Sequence, residues 1–310
     1  MEQEGFRPMR TAPDPLGQKH DTPAQEAPLR PMLPQQVEAW RELLGRSALN
    51  ANRKRVRALR IATLRLQAKL EFWLQEQPPN SNSVRAVKRW MSQGKKLRRA
   101  LQPVRDADVF LQKLTSLHSA EAGPDALPRS RSCLHEIDAL KSILEQRRQS
   151  AAQTLLTEIE GRRQRLERRS REMEKVLESA TPQAEDAAAK NAWQLFVGLN
   201  QEFKELDGSN LHAYRKGLKK VRYLAETGAD RDARRLAVSC KKMLTAAGNW
   251  HDCQLLAKET VRRLPRKGSG LAEVLRAMTE DSLRRALAIC RRSSARLLKD
   301  CDQDEPSTQR

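Results

Sequence analysis

Residues 211–226 read LHAYRKGLKKVRYLAE, and this stretch determines how the rest of the chain is interpreted. Four side chains that carry or can gain positive charge recur there at intervals of three and four: His212, Arg215, Lys219 and Arg222. On an α-helix these positions fall within an arc of roughly 80°. Apolar residues with similar spacing occupy the adjoining face. The stretch therefore predicts a helix that buries one side and presents a row of cations beside it.

Helical spacing continues outward from this stretch in both directions. Apolar residues recur at intervals of three and four, helix-forming residues dominate, and no alternating strand pattern lasts more than a few residues. Proline, glycine and asparagine predict breaks at 78–80, 103, 123–128, 181–182, 207–208, 228, 248 and 265–270. We predict an all-α fold of nine or ten helices with essentially no sheet.

The composition is strongly basic and poor in aromatic residues. The 310 residues include 59 Lys and Arg against 39 Asp and Glu, a formal net charge of +20, and only 4% aromatic residues. Such an excess implies a polyanionic partner, which could be nucleic acid, an anionic membrane or a phosphate polymer. No apolar run approaches the ~18–20 residues of a membrane span, and the N-terminus lacks the apolar core of a secretory signal. We expect no membrane-spanning segment, and we predict no membrane partner.

The cysteines indicate the redox environment of the protein, and the prolines indicate a tail at its N-terminus. The five cysteines form no CxxC pair, which disfavours a disulfide framework or a thiolate zinc site and favours a reducing cytoplasm. Seven of the fifteen prolines precede residue 35, so we expect residues 1–34 to form a disordered tail. Residues 302–310 are interpreted as a second, short tail.

An internal repeat is the most informative feature. A pair of lysines ends ten residues before an aspartate twice in the chain, at Lys95, Lys96 and Asp106 and again at Lys241, Lys242 and Asp252. We expect each aspartate to open a helix, where a carboxylate favours the positive end. Upstream, four positions align at a different offset: Arg57, Arg60, Leu64 and Gln67 with His212, Arg215, Lys219 and Arg222. The repetition predicts two helical halves that face each other.

Three of the basic segments contain no acid. Residues 53–69 carry seven bases, residues 85–105 carry eight, and residues 210–225 repeat the pattern. Like charges at helical spacing repel each other, so an ordinary salt-bridged surface would interleave acids with them. The pattern favours a receptor for a dense anion.

The same residues leave other chemistry open. His212 beside an apolar face suits a structural histidine, whereas a metal site would need converging ligands such as His251 and Asp252, which the neighbouring cations disfavour. No Ser-His-Asp or Cys-His arrangement, GxxxxGK[ST] loop or GxGxxG turn is recognisable. We predict no catalytic residue, no metal and no cofactor.

At these residues the sequence resembles the CHAD family, named for a conserved histidine α-helical domain. The family's HxxRKxxKxxRY pattern stands here as His212, Arg215, Lys216, Lys219, Arg222 and Tyr223. Its first-half HxxRVxxRRxR pattern is degraded to Arg57, Arg60, Ile61, Leu64, Arg65 and Gln67, and RDADV at 105–109 resembles its RDxDV element. The resemblance covers about residues 35–300. It implies two pseudo-symmetric four-helix bundles, assigned here to residues 35–181 and 182–301, that enclose a basic groove or pore.

The resemblance also implies binding of inorganic polyphosphate, often with localisation to polyphosphate granules. We predict a non-catalytic polyphosphate-binding site formed by basic side chains of both halves together with His212 and Tyr223. Its first-half members are Arg53, Arg57, Arg60, Arg65, Lys88, Arg89, Lys95, Lys96 and Arg99. Its second-half members are His212, Arg215, Lys216, Lys219, Lys220, Arg222, Tyr223, Lys241 and Lys242.

Two other functions remain open. Sequence-nonspecific binding to a nucleic-acid backbone has the same compositional signature, although twelve aromatic residues leave few platforms for stacking bases. A metal-dependent phosphatase would need carboxylates near the basic row, for which Asp106, Asp108 and Asp252 are the candidates. The sequence leaves open the oligomeric state and the preferred polyphosphate length.

Overall fold

The chain is built almost entirely from helices wherever its structure is described. The computed structural model describes residues 33–75, 77–121, 130–178, 184–228, 230–264 and 269–303. These residues form eight helices: α1 (Leu33–Leu49), α2 (Arg53–Gln75), α3 (Asn82–Glu121), α4 (Ser130–Glu178), α5 (Ala184–Glu202), α6 (Leu211–Ala225), α7 (Arg231–Arg263) and α8 (Gly270–Gln303). No strand occurs among them, so the prediction of an all-α fold is confirmed.

The two predicted tails lie largely outside the described residues. Of residues 1–34, Leu33 and Pro34 already belong to α1, and the earlier residues lie outside. At the other end α8 continues to Gln303, and the residues after it lie outside.

Short polar side chains define where several helices begin. Asn52 Oδ1 accepts a hydrogen bond from the Arg55 backbone N–H at 3.0 Å, and Asp230 accepts one from Ala233 N–H at 2.6 Å. Each bond satisfies one of the backbone donors that the first helical turn leaves without a partner. The starts of α2 and α7 are therefore fixed by local sequence.

Two predicted helix breaks, at Pro103 and at Gly248, are wrong. Both residues lie inside long helices, α3 and α7, so the described residues contain fewer helices than predicted. A proline inside a helix removes one backbone hydrogen bond and crowds the preceding turn. Here Leu101 and Val104, on either side of Pro103, are fully buried, and their burial holds the helix together. Asp106 and Asp252 consequently lie within helices rather than opening them.

The helices pack as two sets of four. In the first set α3 packs along α4, and α1 contacts both α2 and α4. In the second set α7 packs along α8, and α6 contacts both α5 and α7. The sets meet where α2 contacts α6, α3 contacts α7 and α4 contacts α8. This arrangement fits the prediction of two related four-helix halves.

Each set has an apolar core, and a third core joins them. Trp40 and Trp90 meet edge to face at 5.2 Å in the first, while Phe196 and Tyr214 are buried in the second. The third core collects residues from α3, α4, α7 and α8: Phe110, Leu114, Leu117, Cys133, Ile137, Leu140, Leu144, Leu256, Leu271 and Leu275. Because this core spans both sets, it fixes the position of α3 relative to α7.

Candidate polyanion-binding site

Helix α6 has the two faces that the sequence predicts. Leu211, Tyr214 and Leu218 are essentially inaccessible to solvent and pack into the second core. His212, Arg215 and Lys219 are half-buried on the adjoining face. The close approach of α5 to α6 depends on Gly217, because a methyl group there would overlap the Leu199 side chain. This packing holds the cationic face of α6 in a fixed orientation.

Four half-buried cations from three helices lie where the two helix sets meet, close enough to affect one another's pKa. We call Arg60 of α2, Arg105 of α3, and Arg215 and Lys219 of α6 the central basic cluster. Burial lowers the pKa of Lys219 to about 7, with repulsion from Arg215, Arg60 and Arg105 as the further causes. Burial is likewise the main cause that lowers the pKa of Arg60 and of Arg215. Arg60, Arg215 and Lys219 therefore lie in a partly dehydrated and repulsive setting. Burial alone would lower the pKa of Arg105 as well, but Asp252 and Asp106 outweigh it and raise this pKa.

Two aspartates partly neutralise this cluster. Arg105 pairs with Asp106 at 2.8 Å and with both oxygens of Asp252 at 3.1 Å. Burial alone would raise the pKa of Asp252, but His251 and the Arg105 guanidinium outweigh it, so this pKa lies below its usual value. Both carboxylates are thus internal counterions of Arg105. Since four cations face two acids, the cluster keeps a surplus of positive charge.

A glutamine links the first-half residues of the cluster. Gln102 Oε1 accepts a hydrogen bond from Arg60 Nη2 at 2.6 Å, and Gln102 Nε2 donates to both oxygens of Asp106 at 2.7 Å. The Nε–H groups of Arg60, Arg98 and Arg215 are buried and have no hydrogen-bond partner among the described residues. The Arg215 guanidinium packs against α7 at Gly248, where an added methyl group would lie 3.6 Å from Nη2, an ordinary contact. The cluster therefore combines positioned arginines with donors that further acceptors could use.

His212 stacks on a second histidine that the sequence did not place in the site. The rings of His212 and His251 lie 4.8 Å apart between centroids and are inclined by 18°. Burial lowers the pKa of His212, and His251 and the nearby lysines and arginine add to the effect. The lowered pKa favours the uncharged form of His212 in the free protein. An approaching anion would favour its protonated form.

Several predicted site residues form ion pairs instead, either between α2 and the α6 region or locally at the end of α6. Glu226 pairs with Arg65 at 2.9 Å and with Arg222 at 2.8 Å, and Lys220 pairs with Glu71 at 2.8 Å. The stretches 53–69 and 210–225 contain no acid, yet these three cations have acidic partners. The acids lie just beyond the acid-free stretches or on the neighbouring helix. Tyr223 is buried beside this network and offers little surface to a ligand.

The remaining predicted residues are exposed and lie elsewhere on the helices. Lys96 and Arg99 line a cavity of about 760 Å³ between α3 and α4. Lys241 and Lys242 line a cavity of about 630 Å³ between α7 and α8. Arg53 donates to Gln112, and five others are exposed: Arg57, Lys88, Arg89, Lys95 and Lys216. The structure thus brings together Arg60, Arg215 and Lys219, with His212 beside them.

Arg98, Arg105, Gln102 and His251 were missing from the predicted site. The repeat contains a signal for two of them, because the offset of 146 residues that relates Asp106 to Asp252 also relates Arg105 to His251. Neither Arg105–Asp106 nor His251–Asp252 belongs to a row of cations at helical spacing. A search for such rows therefore does not find them.

The carboxylates of the site do not assemble a metal centre. Within the described ranges, no group of three or more His, Cys, Asp or Glu side chains could hold a metal ion.

No helix of the described part of the chain is long and apolar enough to cross a membrane.

Comparisons with known proteins found one family and one solved structure that this chain resembles. The family model of the CHAD domain matches residues 83–262, more than half of the chain, so the chain belongs to the CHAD family. The matched range contains the 212–223 motif and RDADV at 105–109, and it begins after the degraded first-half motif.

One solved structure supports the fold. PptA from Streptomyces chartreusis superposes with a TM-score of 0.57 at 16% sequence identity, covering 86% of this chain and 98% of PptA. At this level of identity the likeness concerns the fold alone. A search of curated protein sequences found no match.

Proposed function

We propose that the chain binds inorganic polyphosphate through the central basic cluster and performs no chemistry on it. The observation that carries this proposal is the half-buried Lys219, whose pKa is lowered to about 7 among three arginines. Such a cluster destabilises the free protein, and a polyanion would relieve the repulsion. Charge-assisted hydrogen bonds to phosphate oxygens suit guanidinium groups particularly well. Membership of the CHAD family supports the same ligand, since the family resemblance implies polyphosphate.

The distribution of aromatic residues favours a phosphate chain over nucleic acid. Proteins that bind single strands stack bases on exposed aromatic rings. In the described part of the chain, the large apolar side chains that are exposed are Leu49, Leu195, Val238 and Val261, and none is aromatic. Trp40, Trp90 and Trp250 are buried in the helical cores. A ligand without bases therefore fits this surface better.

The same geometry supports a non-catalytic role. Asp106 and Asp252, two of the three candidate metal-binding carboxylates, both pair with Arg105. Asp108, the third, accepts a hydrogen bond from Arg148 at 2.9 Å. Each carboxylate thus has a cationic partner, which opposes binding of a metal ion. A sensitive phosphate-release assay with magnesium or manganese should detect no hydrolysis of polyphosphate.

A binding titration with long-chain polyphosphate tests the proposal. We define the central variant as Arg60→Gln/Arg215→Gln/Lys219→Met. It should lose most of the affinity at low salt, and the slope of log K against log salt should fall by about 1 for each phosphate contact removed. The matched control is Lys258→Ala/Arg262→Ala/Arg276→Ala, which removes one lysine and two arginines from exposed positions. An equal loss of affinity in both variants would show that binding depends on net charge alone, and it would refute a defined site.

Competition with duplex DNA separates the two polyanions. Polyphosphate should remain bound when DNA is added at the same phosphate concentration, and displacement would favour the nucleic-acid alternative. In cells that store polyphosphate, we propose that binding brings the protein to the granules. A fluorescent fusion should co-localise with granules, and the central variant should be dispersed.

A further inference from the structure

The outer side of α7 and α8 carries a second concentration of positive charge. Two cavities of about 630 Å³ each lie side by side between these helices and share Val238, Lys242 and Ile289 as lining residues. We call them together the α7–α8 groove. Their cations are Arg234, Arg235, Lys241, Lys242, Arg285, Arg292 and Arg296. No lining residue is acidic, and none belongs to the central basic cluster.

The shape and lining of the groove suit a linear chain of phosphates. On α7 the lining residues run from Arg234 to Asn249, which corresponds to about 22 Å along the helix at 1.5 Å per residue. Ser239 and Ser293 also line the groove and add hydroxyl groups to the cations, while the Thr245 hydroxyl donates to the Lys241 carbonyl at 2.8 Å. No aromatic side chain lines either cavity, so the groove lacks a platform for stacked bases.

Three cations of the α7–α8 groove have no acidic partner in the described part of the chain. Within the described residues, no ion pair involves Lys242, Arg292 or Arg296, and Arg292 donates only its Nε–H, at 3.2 Å to the Ala288 carbonyl. Arg285 does pair, with Asp281 at 2.8 Å, and is therefore left out of the test below. The three unpaired cations provide the charge-assisted donors that phosphate oxygens accept.

The equivalent groove of the first half is built differently. Five residues of α3 line the cavity against α4, namely Gln93, Lys96, Arg99, Ala100 and Pro103, and an offset of 146 residues relates each to a lining residue of the α7–α8 groove. The α3–α4 cavity, however, includes Glu158, which pairs with Arg162 at 3.3 Å. An internal acid competes with an external anion, so only the second-half groove keeps an uninterrupted positive lining.

We propose that the α7–α8 groove is a second, separate site for a polyphosphate chain, an inference that rests on the proposed function for the identity of the ligand. One molecule then holds two chain segments, one at the central basic cluster and one on the outer face of α7 and α8. The lysine pair at 241 and 242, which the sequence assigned to a single site, belongs to this second one.

Counting the binding sites by calorimetry tests this inference. A short polyphosphate of defined length, titrated at low salt, should bind the wild-type protein at two sites. The groove variant Lys242→Ala/Arg292→Ala/Arg296→Ala should lose one of them and keep the central site. The central variant should lose the other. The control Lys258→Ala/Arg262→Ala/Arg276→Ala should keep both, because it removes one lysine and two arginines from exposed positions of the same two helices.

The possible outcomes separate this inference from the proposed function. If the groove variant keeps two sites, or if the central variant loses all binding, the second site does not exist and the proposed function stands. If the groove variant alone abolishes binding, the groove is the site and the central proposal fails. Absence of binding to the wild-type protein refutes both. Displacement of polyphosphate from the central variant by duplex DNA at equal phosphate concentration would overturn the proposed occupant of the groove.

Discussion

Replacement of Lys219 gives the sharpest test, because the lysine should link polyphosphate binding to pH. Its pKa falls from 10.5 to about 7 in the free protein. At about 1.4 kcal/mol per pKa unit, the charged form is destabilised by on the order of 5 kcal/mol relative to water. A bound phosphate would restore the charge, so binding takes up a proton above neutral pH.

The expected pH dependence follows from the protonated fraction. With a pKa of about 7, this fraction falls from about one half at pH ~7 to about one hundredth at pH ~9. The affinity of the wild-type protein should therefore fall by about 50-fold over this interval if only the charged lysine binds. Arg60, Arg105 and Arg215 stay charged throughout. Internal phosphates of a long chain also keep a constant charge.

Two variants separate the lysine from the other groups. Lys219→Arg keeps a permanent charge, so it should bind at pH ~9 nearly as tightly as at pH ~7. Lys219→Met should bind weakly at both values. Titration calorimetry at constant ionic strength measures all three proteins, and an equal fall in affinity for wild type and Lys219→Arg would refute the reasoning.

Stability provides an independent check with a defined sign. Because the pKa of Lys219 is lower in the folded protein than in the unfolded chain, the unfolded chain binds more protons between pH ~7 and pH ~10.5. The destabilisation is therefore complete below pH ~7 and disappears as the pH rises through this interval. Lys219→Met should raise Tm by several degrees at neutral pH and by progressively less at higher pH. A Tm that is unchanged or lower at neutral pH would contradict the assignment.

Two further substitutions test the counterions and the helix packing. Asp252→Asn leaves Arg105 with one carboxylate, so it should lower stability by up to about 3–5 kcal/mol and tighten polyphosphate binding several-fold at low salt. Denaturant unfolding and titration measure both effects, and weaker binding would show that Asp252 does not compete with the ligand. Gly217→Ala inserts a methyl group against Leu199 and should cost about 1–3 kcal/mol, again by denaturant unfolding. Gly161→Ala is the control, since its position is open, and equal losses would refute the packing argument.

Local periodicity was sufficient to predict α6 but not the continuity of the longer helices. The sequence of α6 determines which face is buried, because its apolar and cationic residues occupy separate arcs. Pro103 and Gly248 are ordinary helix breakers, and the long packing of α3 against α4 and of α7 against α8 overrides them. A signal confined to a few residues cannot include this tertiary contribution.

The site could be predicted only in part, again because local spacing does not include tertiary contacts. Arg60, Arg215 and Lys219 follow from helical spacing within single segments. The pairing of Lys220 with Glu71, and of Arg65 with Glu226, joins residues more than 100 positions apart. Which exposed cations have such partners depends on how α2 meets α6, and no spacing rule within either helix contains that information. For an equivalent reason the sequence did not indicate that Lys241 and Lys242 line the cavity between α7 and α8.

The repeat offers a physical account of the degraded first-half motif. Where the second half has Lys219, the first has Leu64, and where the first has Arg105, the second has His251. Arg60 and Arg215 form the equivalent pair in which both halves keep a permanent charge. Repulsion already lowers the pKa of Lys219 to about 7, so a further lysine at position 64 would add charge to a partly dehydrated cluster and destabilise it further.

Loss of symmetry in the motif is therefore compatible with one shared site rather than with an inactive first half. The first half still supplies Arg60 and Arg105 to that site, and Asp252 of the second half neutralises Arg105 of the first. Gln67, which replaces another expected cation, is buried and donates to the Met91 carbonyl at 3.1 Å, so it belongs to the core. Leu64→Lys should accordingly lower Tm, and a stability equal to wild type would show that the cluster tolerates a fifth cation without cost.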